Sequence, residues 1–419
     1  MKGNAYVPFM LRRGDGSTLS LDFTAMGGTL DSRFTFTRSS TTSTYINSSG
    51  YVATAGTNVA RFDYDPTTLT ARGLLIEGSA INLLLYSQFA YTGSNPPTGW
   101  TSPFTGGPGS AATSTYGTLD GSNAWTQTAS SNRPMLSSTA IALTSGNTYT
   151  ASMYLEAVSG GLTYQDVLLL NPSTATVGTP AYRRNGVTVN ASDAAQLGRI
   201  EVTVSCTGSG NSNLRCGPGS NASCTGSATF SRPQVEVGTA ASSFIPTSGS
   251  TVQRTADTCI AASTGFSSWF TGGTSGTFYA DWYGGVRGIT STVRTVLSTS
   301  DVTARHLHLH QTAPAGNLKV ADFGAANVVT TSNSITSGAR TKGAFSFSGG
   351  TVNLTLNGGT VATSSSLAFS TAPTWLVLGG TSTDGSTITD ATVVLNGSIR
   401  AIKYWPSVLP TATLQSLTA

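Results

Sequence analysis

The stretch "YTASMYLEA" (residues 149–157) alternates its side chains with the two-residue period of a β-strand. In a strand, successive side chains point to opposite faces of the sheet. The two sets are Tyr149, Ala151, Met153 and Leu155 on one face, and Thr150, Ser152, Tyr154 and Glu156 on the other. We predict that one of these faces lies in a core and that the other faces water.

Similar short runs recur along the whole chain, separated by glycine and serine turns. Only 10% of the 419 residues are charged, and 48 are glycine, a composition typical of all-β proteins. The junction "LNGGTV" (residues 356–361) predicts a tight hairpin, because Asn-Gly and Gly-Gly accept the positive φ angles that such turns need. The sequence therefore predicts an all-β protein.

A chain of this length is expected to contain two or three domains. We predict a β-rich attachment and oligomerisation region over residues 1–88, a β-sandwich over 89–247, a linker over 248–260 and a second β-sandwich over 261–419. Pro246 and Gly249 would let the second sheet start in a new direction. Within the first region, "SAINLLLYSQF" (79–89) is the one candidate for a buried helix, and "PTATLQSLTA" (410–419) can form a short terminal helix.

Charge and hydropathy exclude several classes of protein. The net charge of +4 is spread without a lysine or arginine cluster, so we predict no nucleic-acid binding. Arginines at positions 12 and 13 interrupt the start where a signal peptide would be apolar, and no run reaches the roughly 18 apolar residues of a membrane helix. We expect a soluble protein made in the cytoplasm, without membrane insertion.

The cysteines and carboxylates give no catalytic signature. Cys206, Cys216, Cys224 and Cys259 fit no common zinc spacing, so free thiols are predicted, with a disulfide as the alternative. The last glutamate is Glu236, which leaves residues 261–419 without a same-strand acid and nucleophile pair. Neither a Gly-x-Ser-x-Gly motif nor a phosphate-binding loop is present. We predict no enzyme and no cofactor, and leave pairing of carboxylates across strands open.

Two sets of side chains could bind a ligand. Alternation in "RHLHLHQ" places His306, His308 and His310 on one face of a strand and Leu307 and Leu309 on the other, in the core. The histidine face is either solvated or, at a subunit interface, a metal site. Aromatic rings could stack on sugars, although a buried position is the commoner fate of large aromatics. In "FYADWYGG" Tyr283 and Trp282 lie on opposite faces, so one of them faces the core. The candidate carbohydrate-binding residues are Trp282, Tyr283, Trp100 and Trp125, and the weaker candidates are Trp269 and Trp405.

The order "DFTAMGG…FTFTRSSTTSTYINSSG…RGLLIEGSAINLLLYS", then a Trp-led sandwich, then "PQVEVGTAASSFIPTSGSTVQRTAD" resembles bacteriophage virion appendage proteins of the head-spike, head-fibre or tail-fibre type. The resemblance implies an attachment block, a carbohydrate-binding jelly-roll-like domain and, ending in "LNGSIRAIKYWPSVLPTATLQSLT", a laminin-G or concanavalin-like domain.

From this resemblance we expect a structural virion protein, on capsid or tail, that binds other virion proteins through residues 1–88. We expect a homo-oligomer, with a trimer favoured, that binds host-surface or environmental glycans weakly and in many copies. The alternatives are a glycan-degrading tail spike and a purely structural capsid cement.

Overall fold

The computed structural model describes residues 14–89, 96–102, 109–112, 114–115, 124–219, 224–284, 293–301, 305–312, 316–321, 328–336, 338–367, 372–390 and 393–419. This part of the chain consists of β-strands and turns with short helices, which confirms the all-β prediction. None of its helices has the length and apolar character needed to cross a membrane.

The strands before residue 83 are β1 (Leu19–Asp22), β2 (Thr35–Thr37), β3 (Ser43–Ile46), β4 (Val52–Ala55), β5 (Arg61–Tyr64), β6 (Ala71–Ile76) and β7 (Ala80–Asn82). The next are β8 (Trp100–Thr101), β9 (Gly109–Ala112), β10 (Ala124–Ser130), β11 (Leu136–Ser138), β12 (Ile141–Leu143), β13 (Thr148–Val158), β14 (Leu168–Pro172), β15 (Thr176–Val177), β16 (Ala181–Arg184), β17 (Val187–Val189), β18 (Gly198–Gly208), β19 (Gly210–Cys216) and β20 (Thr225–Val237).

The last strands are β21 (Val252–Arg254), β22 (Thr258–Ala262), β23 (Gly276–Tyr283), β24 (Val293–Ser300), β25 (Arg305–Thr312), β26 (Asn317–Ala321), β27 (Val329–Ser334), β28 (Arg340–Ser348), β29 (Thr351–Leu356), β30 (Ala362–Ser364), β31 (Trp375–Leu378) and β32 (Gly397–Trp405). The helices are α1 (Tyr164–Val167), α2 (Thr264–Ser267) and α3 (Thr411–Thr418). The predicted terminal helix is confirmed by α3.

The middle sandwich is built from β8–β20 and packs two antiparallel sheets. The large sheet has the order β17-β16-β18-β13-β20-β10-β9, with β15 beside β18, and the small sheet has the order β12-β19-β11-β8, with β14 beside β19. The core between them contains the predicted apolar face of residues 149–155. The opposite face, expected to be wet, is buried as well: Thr150 and Ser152 are inaccessible to solvent.

Residues 238–245 cover that polar face, which explains the difference from the prediction. The hydroxyl of Thr150 donates to the carbonyl of Gly238, and the backbone N–H of Ala241 donates to the carboxylate of Glu201. The amide of Gln234 donates to the carbonyl of Ser243. Alternation identified correctly which side chains share a face. It could not predict that a later segment covers the polar face, because the sequence of the strand carries no information about that segment.

The outer sandwich also packs two sheets. One has the order β30-β29-β28-β23-β32-β6-β5, with β1 beside β32, and the other has the order β2-β22-β31-β24-β25-β26-β27. The predicted hairpin joins β29 to β30, and its Asn357 and Gly358 have φ angles of 49° and 69°. The stretches "FYADWY" and "RHLHLHQ" belong to β23 and β25 of this sandwich.

The structure divides the first 88 residues differently from the predicted boundaries. Leu19–Asp22 pair with Ala401–Tyr404, and Thr35–Thr37 pair with Thr258–Ile260. Leu74–Ile76 pair with Gly397–Ile399, so the early strands complete both sheets of the outer sandwich. The middle sandwich is therefore inserted into the outer one, rather than following a separate N-terminal region.

The segment expected to be a helix is instead the strand that enters the middle sandwich. Its residues Ala80–Asn82 form β7, which pairs with β21 inside the predicted linker 248–260. Tyr86 bridges to Ser248, and the N–H of Gly249 donates to the carbonyl of Leu85 at 2.7 Å. The segment that enters the middle sandwich and the segment that leaves it lie side by side. The Pro246–Gly249 bend is therefore part of a junction in which these two segments pair.

A buried ionic network holds this junction. Arg61 pairs with Glu77 at 2.7 Å and also with Asp257, while Arg254 donates to Glu77 at 3.0 Å and Arg38 to Asp257 at 3.0 Å. All five side chains are removed from solvent. Burial alone would raise the pKa of Glu77, but the neighbouring guanidinium groups of Arg254 and Arg61 hold it well below its ordinary value.

Candidate functional site

A solvent-open cleft lies between the polar face of the middle sandwich and the edge of the outer sandwich. Its two halves share lining residues and span about 670 Å³ and about 620 Å³, open solvent included. The residues that line both halves are Asp63, Arg72, Leu75, Asn185 and Glu201. Because each sandwich contributes one wall, the shape of the cleft depends on the position of the inserted middle sandwich against the outer sandwich.

The outer sandwich supplies one wall through β5, β6 and the turn between them. The carboxylate of Asp63 accepts a 2.8 Å hydrogen bond from the N–H of Ile46. The guanidinium of Arg72 donates to Asp65 at 2.7 Å. Gly73 has a φ of 97°, and a Cβ there would collide with the carbonyl of Ile399, so only glycine lets β6 lie this close to β32.

The middle sandwich supplies the opposite wall through paired residues on β13 and β18. Arg199 lies opposite Tyr154, with its guanidinium carbon 5.7 Å from the ring centre. Arg199 also donates to the hydroxyl of Ser152 at 3.0 Å. Its neighbour Glu201 faces the cleft and accepts a 3.2 Å bond from the N–H of Ala241. These contacts fix charged and aromatic groups in one orientation.

The tip of the β16–β17 hairpin reaches both halves of the cleft. Asn185 and Gly186 form the turn with φ angles of 49° and 82°. The side-chain oxygen of Asn185 accepts a 2.9 Å bond from the N–H of Arg199, and its own N–H donates to the carbonyl of Arg199 at 2.8 Å. The exposed Asn185 is thereby anchored to β18.

The second half of the cleft ends at Tyr283, the last residue of β23. Tyr283 is half-buried, and the guanidinium carbons of Arg72 and Arg400 lie 5.7 Å and 5.8 Å from its ring centre. Asp281 orients the arginines at this end of the cleft. Arg340 donates to its carboxylate at 2.6 Å, and Nε of Arg400 lies 3.6 Å from the same carboxylate. The hydrogen bond to Asp281 raises the pKa of Arg340.

Glycines line the remainder of this half, where a ligand can approach the main chain closely. They are Gly186, Gly284, Gly338 and Gly397. The tyrosines at the cleft are Tyr45, Tyr64, Tyr154 and Tyr283. Rings, fixed charged groups and accessible backbone in one cleft can stack on and hydrogen-bond to a hydroxyl-rich ligand.

Of the four predicted carbohydrate-binding residues, the structure brings only Tyr283 to this cleft. Trp282 is fully buried in the core of the outer sandwich. Trp100 and Trp125 are buried in the core of the middle sandwich, where their indole N–H groups donate to Tyr86 and Gln127. The weaker candidates Trp269 and Trp405 are buried too. Rings without accessible surface cannot stack on a sugar from solution, so these candidates are corrected to core residues.

The leucines of the histidine strand lie in the core as predicted, but the expectation of a solvated histidine face is wrong at His310, which is buried as well. Leu307 and Leu309 lie in the core, His308 is half-buried and His310 is 4% exposed. The side chain of His306 falls outside the described part. Across the described residues, no three His, Cys, Asp or Glu side chains lie together in a metal-binding arrangement. A metal site shared between subunits stays a prediction.

The four cysteines are free thiols, as predicted, and all are buried. Burial raises the pKa of Cys216 and of Cys259 well above the ordinary value of a thiol. Neither is poised as a nucleophile. They pack as small apolar residues on buried strands.

Sequence reasoning did not find most of the cleft. Asp63 and Glu201 belong to different sandwiches. Arg72 lies at a β-bulge between Ala71 and Gly73, which the sequence pattern does not reveal. The clearest local signal is Asn185-Gly186, which predicts a tight hairpin but not what lies beneath it.

No protein-family model and no curated protein matches this sequence. Among solved structures, a sialidase CBM40 of Ruminococcus gnavus bound to α2,3-sialyllactose is 19% identical, covers 35% of this chain and 83% of its own, and has a TM-score of 0.28. Domain 4 of the Geobacillus stearothermophilus arabinanase AbnA, in complex with arabinotriose, is 16% identical, covers 39% and 73%, and has a TM-score of 0.31. Mouse laminin α1 domains LG4-5 are 10% identical, cover 68% and 93%, and have a TM-score of 0.24.

Proposed function

We propose that the inter-sandwich cleft binds a glycan and that the protein is a non-enzymatic glycan-binding protein. The observation that carries this proposal is the convergence of two sandwiches on one open cleft, where tyrosine rings lie beside fixed charged groups. Tyrosine offers an apolar face for the C–H surface of a sugar, and carboxylate, amide and guanidinium groups match its hydroxyls.

The test compares two adjacent residues that point to opposite faces of β23. Tyr283→Ala should leave the fold intact and weaken retention in glycan-containing native gels about threefold to tenfold, the range for a specific aromatic contact. Trp282→Ala should instead lower the free energy of unfolding by about 3–5 kcal/mol, because it empties a core position. Unchanged retention by a folded Tyr283→Ala variant would count against the cleft as the site.

The particle context of this proposal rests on the sequence resemblance. We infer a structural bacteriophage virion protein, on capsid or tail, that projects these sandwiches as a homo-oligomer with a trimer favoured. Many particle-bound copies would convert weak sites into avidity gains of about 10²–10⁴. Antibody labelling of purified particles tests the location, and light scattering of the purified protein tests the oligomeric state.

A test of the proposed docking through residues 1–88 cannot delete the whole region. Residues 19–76 supply strands to the outer sandwich, so their removal would damage the fold as well as any docking surface. Removal of residues 1–13 leaves every described strand in place. Normal incorporation of that variant into particles would place docking in the remainder of the chain.

Glycan hydrolysis is the second candidate function, and one observation favours it. Asp63 and Glu201 line the same cleft from different sandwiches, and glycoside hydrolysis commonly uses two carboxylates on either side of the scissile bond. Incubation with a retained polysaccharide should produce no new reducing ends if the cleft only binds. New reducing ends from the parent protein but not from Asp63→Asn would establish the enzyme instead.

A further inference from the structure

The centre of the cleft holds a carboxylate with unusual surroundings. Glu201 lines both halves although its residue surface is only 2% exposed. It lies opposite Ser152 on β13 and Arg183 on β16, and the N–H of Ala241 holds one of its oxygens. Burial of a carboxylate costs free energy unless hydrogen bonds satisfy it. A ligand that donates a hydrogen bond to Glu201 would therefore bind a carboxylate that has already lost most of its water.

The guanidinium groups that line the cleft together with Glu201 are directed to other partners. Arg183 donates to the carbonyl of Thr239 at 2.6 Å, and Arg199 donates to the hydroxyl of Ser152 at 3.0 Å. Arg72 pairs with Asp65 at 2.7 Å. In the described part of the chain, Glu201 forms no salt bridge with these arginines.

The lining as a whole has no surplus of positive charge. Its charged groups are three carboxylates and three guanidinium groups, from Asp63, Asp65, Glu201, Arg72, Arg183 and Arg199. An acidic sugar would have to draw a guanidinium away from its partner and place its own charge near Glu201 and Asp63. A neutral sugar has hydroxyls that donate to carboxylates in charge-assisted hydrogen bonds.

We propose that Glu201 is the specificity-determining residue of the cleft: it accepts hydroxyl hydrogen bonds from a neutral glycan and rejects glycans that carry carboxylate or sulfate groups. This inference rests on the proposed glycan binding and names the class of glycan.

Affinity electrophoresis of the full chain tests the ligand class. One set of native gels contains the neutral polymers dextran, arabinan and galactomannan, and the other contains polygalacturonate, alginate and chondroitin sulfate. We expect retention in at least one neutral gel and in no acidic gel. Retention in acidic gels alone would overturn this inference and leave glycan binding standing, whereas no retention in any gel would contradict glycan binding itself.

Glu201→Gln then tests the residue, since it keeps the shape and removes the charge. Binding to the retained neutral polymer should weaken about tenfold or more, as expected for loss of a charge-assisted hydrogen bond. Asp193→Asn, an exposed carboxylate of the same sandwich that bonds only within its own turn, is the matched control and should bind like the parent. Equal binding by a folded Glu201→Gln variant would remove Glu201 from the site.

A salt titration of the parent protein gives a measurement that does not depend on the variant folding. Recognition of a neutral glycan forms no ion pair, so retention should change less than about twofold between low salt and 0.5 M NaCl. A loss of about tenfold or more over that range would indicate recognition of an acidic group and contradict the proposal.

Discussion

The middle sandwich is formed by one continuous stretch of chain, whereas the outer sandwich is assembled from two stretches on either side of it. The core of the middle sandwich consists of apolar residues that all lie within residues 84–235. The outer sandwich closes only when β1 and β6 pair with β32, β5 pairs with β6, and β2 pairs with β22. Buried charges stabilise the junction between the two sandwiches. Two sandwiches of the same fold class thus depend on different interactions.

The largest expected difference lies in fragments of the two sandwiches. Residues 83–249 expressed alone should fold, because the fragment contains all strands of its own sheets. Residues 261–419 alone should be insoluble or unfolded, because they lack the buried apolar residues supplied by the earlier strands, namely Leu19, Leu21, Phe36, Phe62, Leu74 and Ile76. The predicted boundaries would make this fragment a complete β-sandwich, and the strand pairing contradicts that prediction.

Circular dichroism and thermal unfolding of the two fragments check this contrast. A chain in which a short Gly-Ser linker joins residue 84 to residue 250 is the positive control, since it keeps both parts of the outer sandwich. Cooperative folding of residues 261–419 alone would show that the early strands are dispensable.

The next effect concerns the charges at the junction. Asp257→Asn removes a carboxylate that pairs with both Arg38 and Arg61 and should lower the free energy of unfolding by about 3–5 kcal/mol, since it leaves buried cations uncompensated. Asp31→Asn breaks the solvent-accessible pair with Arg33 and should cost about 1 kcal/mol or less. Denaturant titration of both variants checks the difference. Equal costs would mean that the junction charges are no more important than surface pairs.

Acid should weaken the same junction. A carboxyl whose pKa is lower in the folded than in the unfolded state adds stability above its unfolded value, and that stability is lost as the pH falls through the folded value. Glu77 is such a group, with an ordinary value of 4.5 and a folded pKa well below it. Stability should therefore decline as the pH falls below about 4.5. Glu77→Gln, though less stable at neutral pH, should show a shallower decline, and an unchanged slope would exclude Glu77 as a source of acid sensitivity.

The sequence predicted what depends on neighbours along the chain. Alternation placed Met153, Leu307 and Leu309 in cores, and the Asn357-Gly358 turn was found from its dipeptide alone. It could not reveal the pairing of Leu19–Asp22 with Ala401–Tyr404, because no local pattern specifies a partner so far away. The cleft was not predicted for the same reason. In the sequence Glu201 resembles any other polar residue of a strand, and only the fold brings it to the same cleft as Asp63.

The smallest expected effect compares one turn from each sandwich. Leu69, in the turn of residues 65–70 of the outer sandwich, has a φ of 57° and a side chain that is 47% exposed. A left-handed conformation costs an L-residue roughly 1–2 kcal/mol, which glycine avoids, while the greater freedom of glycine in the unfolded chain offsets part of the gain. Leu69→Gly should therefore raise the free energy of unfolding by about 0.5–1 kcal/mol. Asn185→Gly, at a φ of 49° in the middle sandwich, should instead lower it by about 0.5–1.5 kcal/mol, because the lost side chain bonds to the N–H of Arg199. Thermal denaturation of both variants measures the opposite signs, and destabilisation by Leu69→Gly would show that the exposed leucine side chain contributes more contact than its left-handed backbone costs.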